Sequence, residues 1–318
     1  MNSTPKISVV TPVYNGEDHL IDCIESVLSQ DYTNFEYLIL DNASTDKTAH
    51  IVEAFAARDS RIRLARNETL LPLFDNWNES LRLISADSDY CKVVHADDFL
   101  LSGALRQFAE CAVLHPEATL IGSYRIDGAG VGMDSIPYPI SLVNGKELGK
   151  GWLLKRGFRD QFGSPTSVMY RSDCIHNVEE FYDPSNEHAD TQACFDLLAR
   201  GDYGFVHQVL TYTRRHEGAL TPNARIMDTH ALGLLKILCR KGPMFLNEHE
   251  MKMALKRRLR LHYRRLARDL KLVRNPAFRE FHLRGLKALG LRFNPLRFAY
   301  AAFIEYAQKL VILLGRLG

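Results

Sequence analysis

VVHADDFL, residues 93–100, joins a short apolar run to a pair of adjacent carboxylates. Its opening, Val93 and Val94, is short, apolar and β-branched, which marks a buried strand. Two adjacent carboxylates, Asp97 and Asp98, follow. At the end of a strand in an open α/β sheet, such groups face the crevice where ligands bind. Side by side they repel, so a positive group is expected nearby. A divalent cation such as Mg²⁺ fits, because it takes oxygen ligands and usually keeps substrate phosphates among them. An Asp pair also caps a following helix, and the rest of the chain decides between these readings.

Before this stretch, Lys6 to Thr11 (KISVVT) reads as a first strand ended by Pro12. VYNGE then turns into a helix over about residues 18–30, with Leu20, Ile24, Val27 and Leu28 on one face. Residues 35–40 form a second strand closed by DNASTD, where Ser44, Thr45 and Asp46 offer a cap to the next helix. A third strand at 62–65 and a helix around 73–85 lead back to the Asp pair. After it come a helix over 101–114 and a fifth strand over 119–124. Strict alternation of strand and helix predicts an α/β fold with a mainly parallel sheet flanked by helices. The polar clusters TPVYN, DNASTD and HADD then fall on one sheet edge, which points to a ligand site. Neither G-x-G-x-x-G nor G-x-x-x-x-G-K-[ST] occurs, which argues against dinucleotide dehydrogenases and P-loop enzymes.

Farther along, DGAGVGMDSIPYP is irregular and residues 145–156 are helical in pattern. GSPTSVMYR (163–171) is a loop entering a strand, Asp190 opens a helix through Leu198, and 203–212 is extended. Helices dominate from Arg225 onward.

The 318 residues suffice for one large domain and a smaller appendage. The net charge of +2 hides an asymmetry. Residues 225–318 carry 21 Lys and Arg against 6 Asp and Glu, a net +15, and residues 1–224 carry 19 against 32, a net −13. A basic tail on an acidic body seeks an anionic partner. The six cysteines lack close ligand spacing, as expected of buried thiols in a reducing compartment. MNSTPKISVV has no basic start or long apolar core of a signal peptide.

Four blocks, in order, resemble the family 2 glycosyltransferases: VVTPVYNGEDHLIDCIESVLSQ, YLILDNASTDKT, YCKVVHADDFL, and ADTQACFDLLARGDYGF with YTRRH. The resemblance runs from about Lys6 to Leu220 and implies the GT-A fold and inverting sugar transfer from a nucleotide-diphosphate sugar. It places Thr11, Pro12, Tyr14 and Asn15 beside the nucleotide base, and Asp41 on the base or ribose. Asp97 and Asp98 match the metal and ribose carboxylates, with the choice of metal ligand open between them. Asp190 matches the catalytic base. Arg214 and His216 match an R-x-H element near the diphosphate or metal, which is Mg²⁺ or Mn²⁺. Two departures stand out: His95 replaces a common first Asp, and Asn42-Ala43 replaces the common Asp-Gly.

Each residue also has a plainer reading. Asp190 serves equally as a helix cap, with Glu187 the alternative base. Asp41 is a turn former, His216 an ordinary surface or core histidine, and Arg214 and Arg215 solvated arginines. Trp77, flanked by Asn76 and Asn78, lies under the sugar or on a helix surface. Gly163, Ser164 and Pro165 border the acceptor or form a turn without ligand contact.

In the tail, Leu255, Leu259, Leu266 and Leu270 recur near helical spacing among Arg and Lys. This is the pattern of a basic amphipathic helix on an anionic membrane, or of a Leu face packed on the catalytic domain with the Arg face in water or paired with the acidic body. Residues 298–314 are apolar but interrupted by Glu305, Gln308 and Lys309, too short and too polar for a transmembrane span, with a place in the membrane interface as the alternative. No nucleic-acid module accompanies the charge.

The expectation is a GT-A catalytic domain over residues 1–224 and a basic helical region over 225–318. The function expected is metal-dependent, inverting transfer from a UDP-sugar to a glycan or lipid-linked acceptor, at the cytoplasmic face of the membrane. The alternatives are a degenerate nucleotide-sugar or membrane-binding module and, less well supported, a nucleotidyltransferase, since TPVYNGE lacks Lys and Arg.

Overall fold

The computed structural model describes residues 4–157, 162–215, 226–268 and 271–314. The chain divides into two compact units: Met1–Ser185 with Ala189–His216, and Asn186–His188 with Glu217–Gly318.

In the first unit, strands β1 (Ile7–Val13), β2 (Phe35–Asp41), β3 (Ile62–Arg66) and β4 (Tyr90–Val93) lie parallel in the order β3-β2-β1-β4. Helices α1 (Leu20–Leu28), α2 (Thr48–Ala56) and α3 (Leu73–Arg82) connect them. Leu20, Cys23, Ile24 and Val27 turn one face of α1 into the core, as their spacing predicts.

Strand β1 continues through Pro12 instead of ending there. The reason lies in its hydrogen bonds. The Val10 carbonyl faces β4 and accepts from Val94, and the Val13 carbonyl faces β2 and accepts from Asn42. By alternation Pro12 faces the β4 side, where β4 has already ended, so its missing N–H costs no ladder bond.

Beyond β4, the two-residue β5 (Phe99–Leu100) precedes α4 (Ala104–Leu114) and β6 (Ala118–Asp127). Short strands β7 (Gly130–Gly132) and β8 (Leu142–Val143) follow, then α5 (Gly145–Leu154). Strand β9 (Val168–Arg171) inserts antiparallel between β4 and β6, and β10 (Asp202–Thr213) runs parallel to β6. Helices α6 (Asp173–His176) and α7 (Ala189–Leu198) lie between β9 and β10. The long parallel strands therefore share one C-terminal edge. All five buried thiols and the half-buried Cys239 are free.

The second unit is helical, with α8 (Thr229–Lys241), α9 (Glu248–Ala267), α10 (Lys271–Arg274), α11 (Pro276–Ala288) and α12 (Pro295–Leu314). Asn247 and Glu250 form a reciprocal capping box on α9. Asn275 caps α11 ahead of Pro276. Tyr263, Leu266, Ala267, Leu272, Phe278 and Ala301 make its core, with Leu259 packed against them. The Leu face of α9 is thus turned inward at Leu259 and Leu266, and its exposed face is Lys252, Lys256, Arg257 and Arg260. These two leucines are packed on protein, Leu255 is half-buried, and Leu270 lies outside the described residues. Among the described residues, no helix is long and apolar enough to cross a membrane.

Candidate active site

The edge is built from loops that fasten to one another. After β1, the chain turns at Asn15, whose φ is +48°. Asn15 N–H donates to Ser44 Oγ at 2.9 Å, and Asn15 Oδ1 accepts from Thr45 N at 2.9 Å. Gly16 N donates to Thr48 Oγ1 at 2.8 Å, Glu17 N to Asp46 Oδ2 at 3.0 Å, and Lys47 N to Glu17 Oε2 at 3.1 Å. Asn42 ties the loop before α3, accepting from Leu71 N at 3.0 Å and donating to Leu71 O at 2.9 Å. Ala43, where the resembled motif carries Gly, has φ +56°. A left-handed backbone strains a residue with a Cβ.

Asp41 is fully buried at the end of β2. Its Oδ1 accepts from Ser44 N at 2.9 Å. Oδ2 lies 3.2 Å from Arg66 Nε in an ion pair but receives no hydrogen bond. Thr11 is equally buried, and its hydroxyl donates to Val94 O at 2.8 Å beside Tyr37 OH. The Thr11 side chain is therefore committed to the core, and Pro12 is buried beside it, while Tyr14 stands about half exposed and Asn15 is exposed.

The Asp pair sits on an internal scaffold. Lys92, on the central strand β4, is wholly buried. Its ammonium donates to the carbonyls of Thr166, Val168 (3.1 Å) and Val93 (3.3 Å). Burial pushes this amine down to about 7, against the pull of the Cys91 and Asp98 charges. Thr166 belongs to a 3₁₀ turn, Pro165–Ser167. Its hydroxyl accepts from His95 N at 3.1 Å and donates to Asp98 Oδ2 at 2.7 Å. Asp98 Oδ1 accepts from the Arg214 backbone N at 2.9 Å. Asp98 is 2% exposed, and burial, reinforced by the neighbouring Asp97 charge, pushes its carboxyl up to about 7. Arg214 leaves the C-terminal end of β10, donates through Nε to Asp97 O at 3.0 Å, and reaches Asp22 through Nη2 at 2.9 Å.

His95, Asp97 and Asp98 each place one ligand atom within 4.8 Å of the others. The His95 Nε2 is buried without a hydrogen-bond partner, and burial holds the imidazole below its usual range. Trp77 packs on its ring, 4.6 Å between centroids. An orphaned imidazole nitrogen beside two carboxylates is a donor set that suits a divalent ion.

Asp190 lies in the first turn of α7 and accepts from Thr191 N at 2.7 Å. Burial raises its carboxyl, while the nearby His95 charge pulls the other way. Glu187, in the other unit, is taken up by Lys236 at 2.8 Å. Pro165 and the Gly163–Ser164 segment lead into the Thr166 turn, with Gly163 at φ +57°. Asn76 accepts from Asn67, and Asn78 both donates to and accepts from the Tyr182 backbone, so both asparagines fix loops. His216 lies outside the described residues.

Lys92, Thr166 and Asp22 had not been singled out from the sequence. A lysine inside a strand paired on both sides was the available signal for Lys92. Thr166 and Asp22 carried none.

Residues 8–176 match the sequence profile of Glycosyl transferase family 2. EpsE of Bacillus subtilis (strain 168), named as a glycosyltransferase, is 33% identical over 164 residues, 49% of this chain and 58% of the relative. A GalNAc(5)-diNAcBac-PP-undecaprenol beta-1,3-glucosyltransferase of Campylobacter jejuni is 33% identical over 101 residues, 32% of each. The matches thus span less than two thirds of either relative's length. Among solved structures, S. aureus TarS 1-349 in complex with UDP-GlcNAc superposes with a TM-score of 0.68 at 18% identity, covering 94% of this chain and 88% of that one. The mannosyltransferase PcManGT from Pyrobaculum calidifontis, in complex with GDP-Man and Mn²⁺, gives 0.56 at 13%, covering 97% and 81%. These neighbours share the fold, an α/β core of GT-A type with a helical C-terminal region. With the profile covering more than half of its length, the chain belongs to glycosyltransferase family 2.

Proposed function

We propose that the chain transfers a sugar, with inversion, from a UDP-sugar to a glycan or lipid-linked acceptor in surface-polysaccharide assembly, aided by Mg²⁺ or Mn²⁺. The observation that carries this reading is the gathering of Asp41, His95, Asp97, Asp98 and the Arg214 backbone on one sheet edge. His95, Asp97 and Asp98 would hold the ion, joined in this reading by His216. A bound divalent ion neutralises a diphosphate leaving group as a Lewis acid.

The chain's own groups do the rest. Asp41 keeps Oδ2 for the nucleotide, with Tyr14 and Asn15 at the rim and Thr11 and Pro12 as the floor. Arg214 braces the Asp pair through its backbone and side chain. Asp190 takes the proton from the acceptor hydroxyl. A base works best with a proton affinity near the working pH, and burial moves Asp190 in that direction. Displacement by that hydroxyl needs no enzyme nucleophile. Contact with an anionic, cytoplasmic membrane face belongs to the same reading. It is supported by the net +15 of residues 225–318 and by the polyprenol-linked substrate in the Campylobacter relative's name.

A melting-temperature panel of nucleotide-diphosphate sugars, with and without Mn²⁺, tests it. At about a hundredfold excess over Kd, a ligand of the native state adds about 2.7 kcal/mol. A rise with a UDP-sugar that depends on Mn²⁺ is expected. No rise with any donor, together with no release of free nucleoside diphosphate in the presence of acceptor, would overturn it.

A further inference from the structure

Helix α12 carries apolar side chains on its outer face as well as on its inner one, where Phe298, Ala301 and Ala302 pack on the core. Its inner positions include Ala301 and Glu305, 4% and 9% exposed. Glu305 receives Arg264 Nε at 2.6 Å and has Arg268 Nε at 3.9 Å, and Gln308 receives Arg264 Nη2 at 2.7 Å. The outer stripe is Leu296, Tyr300 and Phe303, 81%, 64% and 70% exposed, with Tyr306 on its flank. Spacings of four and three put these three side chains on one face. A helix facing water carries its charges outward and its apolar stripe inward. Here the carboxylate is packed against arginines and the aromatics point out.

The surroundings select the occupant. Arg292 and Arg297 flank the start of α12 and are exposed. Lys252, Lys256, Arg257 and Arg260 line the open face of α9, which packs on α12 through Arg264 and Tyr263. A second copy docking here would bring two strongly cationic surfaces together, which repels. An anionic bilayer offers attraction to the cations and an interfacial layer that suits Tyr and Phe. The buried Glu305 pair and Gln308 keep α12 along the surface.

We propose that α12 seats the Leu296–Tyr300–Phe303 stripe in the interfacial layer of an anionic bilayer, while the exposed Lys and Arg of α9 meet the headgroups. This rests on the membrane contact in the proposed function, and it replaces the α9 leucines with α12 aromatics as the inserting group.

The test is flotation of the full chain with phosphatidylcholine vesicles, with and without phosphatidylglycerol. The wild type floats with the anionic vesicles. A Tyr300→Ser/Phe303→Ser variant loses at least about tenfold in partitioning, from the apolar area withdrawn, and Tyr300→Phe retains binding. Both positions are exposed, so the melting temperature and donor-induced stabilisation stay unchanged in the double variant. Absence of donor binding would strike the sugar-transfer reading and leave the flotation result standing. Failure of the wild type to float, or equal flotation of the double variant, would overturn the proposal. So would a dimer seen by sedimentation velocity that the double variant abolishes, or capture by an acidic protein with no affinity for vesicles.

Discussion

The two units differ in the ionisable groups they bury. The first buries charge-bearing groups and gives them partners: Lys92 on three carbonyls, Asp98 between Thr166 and Arg214, Asp41 beside Ser44 and Arg66. The second buries two histidines in a ring contact, His262 and His282, at 1% and 0% exposure. Neither His262 nitrogen has a hydrogen-bond partner. Burying an ionised group is expensive unless it is paired and hydrogen-bonded. The first unit accepts that cost at the edge where the chemistry lies. The second keeps His262 neutral and pairs the charges it does bury, Lys236 with Glu187 and Glu305 with Arg264. Perturbed groups mark a working site only where geometry makes them converge, and His262 is perturbed by packing alone.

The contrast is broken most severely at Asp190. Asp190→Asn is expected to slow transfer about a thousandfold, in the range of a lost general base, while donor-induced stabilisation survives. If transfer persists, the base lies elsewhere and the half-buried Asp190 serves only the first turn of α7.

Next in size is Lys92→Met, which removes the donor from three buried carbonyls. A loss of about 1–3 kcal/mol is expected in urea unfolding, along with weaker donor stabilisation as the Thr166 turn loosens. An unchanged urea midpoint would mean that the carbonyls find other donors.

His262 gives a pH signature in the second unit. Burial and the neighbouring His282 hold it down to about 3, against about 6.5 when unfolded. Between these values the unfolded chain binds the extra proton. Stability from this residue is whole above about pH 6.5 and is lost toward pH 3, at up to about 1.4 kcal/mol per pH unit. His262→Phe should flatten that part of the acid profile. An identical profile would place His262's proton in the folded state.

The smallest effect belongs to Ala43. Ala43→Gly relieves a left-handed backbone at the nucleotide edge and should add about 0.5–1 kcal/mol. A destabilised variant would show that the alanine methyl packs usefully there.

Much of the first unit was legible because alternating strand and helix leave periodic apolar faces. The Leu20, Ile24, Val27 face of α1 and the runs in β1 and β2 are of this kind. Strand direction was not legible: Val168–Arg171 reads the same whether it runs parallel or, as found, antiparallel. Two-residue strands such as β5 and β8 exist only because a long neighbour offers an edge. Pro12 looked like a strand terminus because local sequence does not say which neighbour a residue faces. At the site, the Asp pair and His95 announced themselves by type and position. Lys92 and Thr166 did not, because their roles depend on contacts between segments more than seventy residues apart. In the tail, the leucine spacing of α9 was real, but spacing alone cannot tell a lipid from a protein neighbour.

The fastening of the loop after β1 to the loop after β2 bears on timing. Hydrogen bonds from Asn15–Ser44 through Lys47–Glu17 hold the two together without help from a nucleotide. Little ordering is left for the moment of encounter. Donor capture at this edge should therefore appear in stopped flow as one exponential whose rate grows linearly with concentration. Preference among donor sugars would then reside in how long each one stays.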